Sequence, residues 1–493
     1  MAQTQVGNGS YTTTHPGTDA AGRNAYPSGT PFVTGSAQNR PIPTNDWWSK
    51  LVKEGQADNL FNYPLTLKTT TEGLILTYIP WGVIGDSQPI KVGLSGLNTN
   101  NTFASDYSDW TVSMHWENAG KQMKATAGIG MPFVYFEKGE SDEVEITIQN
   151  GEVTVRNEKL IIENAASGAD FVVYAPVGST WTANGSSYRS DFNGKTYWSV
   201  AMLPQGSQNL EQLATQFSAY AYVFPTNTQV AWDYNANQGK VRSTFTIDTE
   251  VKEGTNTTFL QGLLPHQWSH LSTDSAQPVS LSYSTVRGEM KILEGNTFTV
   301  ENYFSGILPT LPNLSQYSET YDPAALIEKI KILENSQLDT WTDSYNEGQL
   351  MNRLIQTARA ANEIGLTSAR DNIIATIKER LENWLTYTAG ERAFLFYYNE
   401  TWTTLIGYPA GHGQDSNIND HHFHWGYFIH AAAFLEQFQP GWVDQWGPMI
   451  NLLIRDAASQ NRADNQFPFL RNFSPFAGHS WANGFASFPQ GND

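Results

Sequence analysis

The hydrophobic pattern changes period once along this chain, near Pro312, and that change constrains the fold more than any other feature. Before it, apolar residues recur every second position. Val144, Ile146 and Ile148 alternate with Glu145 and Thr147, and Val153 and Val155 repeat the pattern beyond Asn150-Gly151. Asn-Gly is a hairpin-type turn dipeptide, so the reading places one strand on each side of it. Phe245 and Ile247 alternate in the same way, as do Val279, Leu281 and Tyr283, and Phe298 and Val300 after Glu294-Gly295-Asn296. Many short alternating strands punctuated by Gly and Asn predict a large antiparallel β-sandwich over 41–255. The VKEGTNTT stretch interrupts the strands and sets off a small module over 256–320. Residues 1–40, rich in Thr, Gly, Asn and Pro, read as an extended arm on the surface.

After Pro312 the period becomes helical. Asp322-Pro323 is an N-cap followed by a first-turn proline. Leu326, Ile327, Ile330 and Leu333 then recur at helical spacing. A second helix carries Leu350, Leu354, Ala358 and Ala361 and stops at Gly365, a third carries Ile373 to Leu385, a fourth runs from near Asp420 to Phe438, and a fifth covers 443–458. Helical hairpins with long connections at one end predict part of an (α/α)6 toroid over 321–493. Such a toroid closes with about six helix pairs. Five helices fall short of that, so the chain is expected to be cut partway round its helical domain, leaving apolar faces for something else to cover. The fold class expected is thus multidomain β plus α: sandwich, small separate module, incomplete α/α toroid. At 493 residues, about three domains are also what the length allows.

Composition narrows the function classes. The formal charge is −19, which speaks against nucleic acid and anionic membranes as partners. Cysteine is absent, so there are no disulfides, thiolate metal sites or cysteine nucleophiles. No apolar run reaches the roughly 18 residues of a membrane span. With 16 Trp, 22 Tyr and 25 Phe and only 16% charged residues, the chain suits a secreted protein that handles a neutral polymer. Met1 is followed by AQTQVGNGS, which has neither a basic nor an apolar signal region. An extracellular protein with this start is expected to have lost its signal peptide and gained a start Met.

The densest chemistry is Asn417-Ile-Asn-Asp-His-His-Phe-His-Trp-Gly-Tyr-Phe-Ile-His430. Asp420 and His424 share a helical face, with His421 beside them. Three readings stay open here: a catalytic acid at Asp420 with histidines and aromatics shaping a sugar site, a metal site of Asp420, His421 and His424, or a helix cap with core aromatics. A helix N-terminus lowers a carboxyl pKa, whereas a general acid needs it raised. Burial or a second carboxylate must therefore outweigh the dipole if Asp420 is an acid. A second cluster, Phe394–Trp402 followed by the GYPAGHG string at 407–413, offers rings for pyranose faces, or else a strand edge packed on the helices. A third, Arg471–Trp481 with Asn483-Gly484, is either a binding loop or an ordered packing loop. Asn45-Asp-Trp-Trp48 and His115-Trp116 read as core in preference to a separate sugar surface. Phosphate loops and Rossmann fingerprints are missing from the sequence.

The strings TNDWWSKL (44–51), GMPFVYFE (130–137), GLLPHQW (262–268), YSTVRGEMK (283–291), NDHHFHWGYF (419–428) and FPFLRNFSPFAGHSWANG (467–484) resemble, in order, those of glycoside hydrolase family 81, the endo-β-1,3-glucanases. The resemblance implies three parts, a β-sandwich, a small α/β linker domain and an (α/α)6 toroid, and inverting hydrolysis of β-1,3-glucan. No cofactor or metal is expected, and a monomer is expected to act on the polysaccharide. It matches Asp420 to the general acid. It implies that His424, Trp425, Tyr427, His479 and Trp481 line the cleft and that Tyr398, Asn399 and Trp402 border it. The family continues with a QESxSEA-like run carrying the general base, whereas this chain ends GND at 491–493. The stretch is therefore expected to be inactive or weakly active alone, and poorly folded in its helical half. A non-catalytic glucan-binding protein and a polysaccharide lyase are the alternatives; the second expects a basic cleft, and 394–484 offers few arginines beyond Arg455, Arg462 and Arg471.

Overall fold

The computed structural model describes residues 3–17, 27–82, 87–206, 209–310, 312–336 and 341–485. The expected GND terminus lies outside these residues. Strands dominate to Tyr303 and helices thereafter, as the change of period requires.

Two antiparallel sheets share one hydrophobic core. The eight-stranded sheet runs in the order 152–156, 159–166, 169–174, 197–202, 133–138, 121–128, 111–118, 103–107. The seven-stranded sheet runs 182–184, 187–190, 144–148, 90–94, 73–77, 66–70, 60–61. The alternation at Val144, Ile146 and Ile148 is an inside-outside pattern, and all three side chains are buried. The hairpin expected across Asn150-Gly151 does not form. Residues 144–148 are paired on both edges, by 90–94 and 187–190, which leaves no ladder position for 152–156. The chain instead crosses to the other sheet, and 152–156 pairs with 159–166 around Asn157, which takes the left-handed conformation at φ 53. Trp47, Trp48 and Trp116 are all core residues, and the Trp116 indole donates to the Thr70 carbonyl at 2.8 Å.

A three-stranded sheet of 223–235, 240–251 and 297–303 takes strands from both sides of residue 255. A second sheet joins 260–263, 288–294 and 282–285. Among the described residues the α-helices in order are α1 (Ser49–Glu54), α2 (Leu210–Phe217), α3 (Pro265–Trp268), α4 (Pro323–Glu334), α5 (Ser344–Glu363), α6 (Thr367–Trp384), α7 (His421–Phe438) and α8 (Trp442–Ala458).

The helix boundaries follow local chemistry. Asp322 accepts from the Ala324 and Ala325 amides and caps α4. Asp343 does the same for α5 through Tyr345 and Asn346, and Gly365 at φ 78 ends it. α5 packs on α6 and α7, and α7 on α8, around Met351, Leu354, Ile377, Trp384, Trp425, Phe428 and Leu453. Among the described residues no helix is long and apolar enough to cross a membrane.

The N-terminal arm is more than a surface strap. Gln3–Val6 and Gly9–Thr12 form a hairpin, and Thr12 pairs in parallel with Tyr397 of strand Leu395–Asn399. That strand and Thr404–Tyr408 complete a four-stranded sheet against the helices. A Cβ on Gly9 would lie 2.7 Å from the Leu385 carbonyl oxygen, so only glycine lets the hairpin sit this close. The long connection before α7 is thus a pair of fully buried strands, the packing alternative for Phe394–Trp402.

Candidate active site

Asp420 sits immediately before α7 in the left-handed conformation, φ 58 and ψ 22. An ordinary N-cap residue is extended and turns its side chain onto the first free amides. Here the Asp420 side chain makes no capping bond, and its carbonyl accepts from the Phe423 and His424 amides at 2.9 and 3.0 Å. The capping reading therefore fails for the carboxyl group. Without those donors, burial dominates: it raises the Asp420 carboxyl above its ordinary value, against the smaller opposing pull of His412 and His421. His412 and Ile418 are also left-handed, at φ 55 and 54. Three such non-glycine residues within nine positions are the kind of strain that gathers at functional sites.

The strain is held by contacts from distant parts of the chain. The Asp420 amide donates to the Ala482 carbonyl at 2.9 Å. Asn45 donates through Nδ2 to the carbonyls of Ile418 at 3.1 Å and Trp481 at 3.2 Å. The Gly484 amide donates to Asn419 Oδ1 at 2.7 Å. A Cβ on Gly484 would fall 1.9 Å from the Asn417 carbonyl oxygen. Asn45 of the NDWW string and Gly484 of the NG string thus tie the acid loop to the 481–484 segment.

Beneath the loop lies a fully buried polar centre built on Asp456 of α8. Its Oδ2 accepts from His421 Nδ1 at 2.5 Å and Trp425 Nε1 at 2.7 Å. Its Oδ1 accepts from the Leu405 amide at 3.0 Å and Thr404 Oγ1 at 3.2 Å, with Arg471 at 3.3 Å. Burial pushes the Asp456 carboxyl up, but Arg471 and His421 outweigh it and hold the pKa below the ordinary value. His421 Nε2 faces the Gln414 carbonyl at 2.8 Å. Both His421 ring nitrogens are occupied, so it is not free for the Asp420–His421–His424 metal site.

The remaining expected residues divide by depth. Tyr427 is half-buried against Tyr345, with ring centroids 5.8 Å apart, and His479 is half-buried against Trp481 at 4.5 Å. His424 is sealed from solvent. Its Nδ1 meets Ser344 Oγ at 2.7 Å, and burial pushes its pKa down to about 3, which keeps the ring neutral. Trp425, expected to line the cleft, is wholly buried between Phe396 and Asp456. Trp481 is also buried, its ring edge-on to His479. Trp402 is buried against Phe485, and its amide donates to Asn399 Oδ1 at 3.0 Å. The Tyr398 hydroxyl donates to the Gln466 carbonyl at 2.7 Å. These rings support the site from below and offer no open face, because α7, the 395–408 hairpin and the 471–485 loop that carry them turn them inward.

Two partly or fully exposed side chains complete the surface beside Asp420. His412 packs edge-on to Tyr345 at 4.4 Å, and Tyr345 in turn meets His424 at 5.3 Å. His412 stands in the GHG string quoted above, whereas Tyr345 and Asp456 carry no local signal in the sequence.

The model of the glycosyl hydrolase family 81 C-terminal domain matches residues 323–493. A glucan endo-1,3-beta-D-glucosidase of Thermobifida fusca is 34% identical over 516 residues, covering 100% of this chain and 66% of that protein. One from Acetivibrio thermocellus is 36% identical over 468 residues, covering 92% of this chain and 59% of that protein. The chain therefore spans about three-fifths to two-thirds of these relatives' length. A solved family 81 structure from Clostridium thermocellum superposes with a TM-score of 0.91 at 35% identity, covering 100% of this chain and 68% of that one.

Proposed function

The chain belongs to glycoside hydrolase family 81, and from that membership we propose that it hydrolyses internal β-1,3-glucosidic bonds of β-1,3-glucan, with Asp420 as general acid. The observation that carries the role is the Asp420 carboxyl itself: half-buried, free of capping amides, and raised in pKa by burial. That is the direction an acid needs if it is to protonate the leaving oxygen near neutral pH. Tyr345, His412 and Tyr427 form the partly open surface on which a sugar would lie, and we place His479 of the 471–481 loop at its margin. His424, Trp425, Trp402 and Trp481 act beneath it, fixing the shape of the loop and excluding water. Tyr398 and Asn399 hold the strand that borders them.

In this reading hydrolysis inverts the anomeric centre, which requires a second carboxylate roughly 6.5–9.5 Å away to activate water. The architecture we propose is a sandwich over 41–255, a linker over 256–320 and part of an (α/α)6 toroid over 321–493, in a secreted monomer.

The test is Asp420→Asn in the full-length protein. Release of reducing sugar from laminarin should fall by roughly 10²–10⁴-fold, while laminarin binding measured by calorimetry stays within about twofold of wild type. Wild-type turnover by the variant would remove Asp420 from the acid role. Glucan binding without any product from the wild type would make the protein a glucan-binding module instead.

A further inference from the structure

One groove lies apart from Asp420 and has the chemistry of a sugar site. Its floor is one face of the three-stranded sheet. Trp232, Ser243 and Val300 stand in register across it, and Tyr234, Val241 and Asn302 form the next row. The opposite wall is the loop carrying Leu470, Phe473, Pro475 and Gly478, with His266 and Gln267 of α3 at one side. The space between is about 560 Å³, within the range of ligand pockets.

Among the described residues the lining contains no Asp, Glu, Lys or Arg, in a chain whose net charge is −19. A charged ligand would find no counter-charge there, and a neutral one meets no desolvated charge. Trp232 is backed by Phe469 in a stacked arrangement at 6.0 Å and 24°, yet is 43% exposed. The Arg462 guanidinium covers Phe469 at 4.0 Å and bonds to Asp109 at 2.5 Å, which fixes the platform. Ser243 and Asn302 make no side-chain hydrogen bond among the described residues. A rigid indole with an unused hydroxyl and an unused amide beside it matches a pyranose: C–H groups on the ring, hydroxyls on the polar pair. The wall is also tied to the acid loop: from Gly478 the chain runs through His479 and Trp481 to Ala482, whose carbonyl accepts from the Asp420 amide.

We propose that this groove is a second β-1,3-glucan-binding site, in which Trp232 stacks on the polymer while another stretch of it occupies the acid site. The proposal rests on the glucanase reading above. A second attachment point raises apparent affinity for long chains and leaves short ones unaffected.

The experiment uses the full-length protein with Trp232→Ala, Trp232→Tyr or Asn302→Ala, measuring electrophoretic retardation in laminarin gels and hydrolysis of laminarin and of a short laminari-oligosaccharide. Trp232→Ala should weaken retardation roughly tenfold and raise KM for laminarin, with kcat on the short substrate unchanged. Trp232→Tyr keeps an aromatic platform and should retain most of the retardation, and Asn302→Ala should lose part of it. Wild-type retardation in Trp232→Ala would overturn the proposal. So would an equal loss of kcat on the short substrate, since the residue would then be acting through the acid loop. If wild type hydrolyses neither substrate, the glucanase reading has failed first; if it hydrolyses both without retardation, the second site is overturned.

Discussion

Asp456→Asn tests whether the buried polar centre, and not the surrounding apolar packing alone, holds α7, α8 and the acid loop together. Five donors converge on the Asp456 carboxylate: His421, Trp425, Thr404, the Leu405 amide and the Arg471 guanidinium. Asparagine matches the shape but removes the charge and turns an NH2 group toward donors. Arg471 and Asp456 are both fully buried, so the variant leaves a guanidinium without its counter-charge. Breaking one half of such a pair costs roughly 3–5 kcal/mol. At roughly 2–4 °C per kcal/mol for a domain of 150–250 residues, Tm should fall by roughly 6–20 °C. The effect has a pH signature. The folded-state pKa of Asp456 lies below its ordinary 3.8, so its stabilisation is complete above that value and is lost as pH falls through the folded pKa. The gap between wild type and variant, followed by calorimetry or circular dichroism, should be constant from about pH 8 to 5 and narrow below 3.8. Adding Arg471→Met should recover part of the loss, since both charges are then gone. A Tm within about 2 °C of wild type at pH 7 would refute the argument, because no uncompensated buried charge costs so little.

The opposite pH dependence is expected at Asp46. Burial, with Asp109 adding to it, pushes its carboxyl up to about 7, so the folded protein keeps a proton that the unfolded chain releases above 3.8. Its contribution is full below 3.8 and declines as pH rises to about 7. Asp46→Asn should match wild type at pH 4 and melt higher at pH 8; a variant that is less stable at both pH values would contradict this. Gly484→Ala places a Cβ 1.9 Å from the Asn417 carbonyl and must separate the 417–420 and 481–484 segments. Tm should drop by several degrees, at a cost of roughly 1–3 kcal/mol, and laminarin hydrolysis should fall with it. Unchanged values of both would show that the two segments do not constrain each other.

What the sequence could determine by itself was local. Period-2 and helical alternation, Asp322 as a cap and Gly365 as a stop act within a few residues, and the helices after Pro312 appear where those signals put them. The cluster around Asp420 was also visible, because its aromatics and histidines are dense along the chain. The structure alone decided how those pieces were used. Asn150-Gly151 has the composition of a hairpin turn, yet both edges of 144–148 were already taken, so the chain changed sheets. Trp425 and Trp402 look like sugar platforms, but the strands and helices around them close over both rings. Asp420 stands where a capping residue stands, and only the left-handed backbone turns its carboxyl away from the amides. That conformation is imposed by Asn45 and Ala482, separated from Asp420 by 375 and 62 positions in the chain. Burial, which sets the pKa, and the counter-charges, which keep Asp456 ionised, are properties of surroundings assembled from residues far apart in sequence, and no local pattern encodes them.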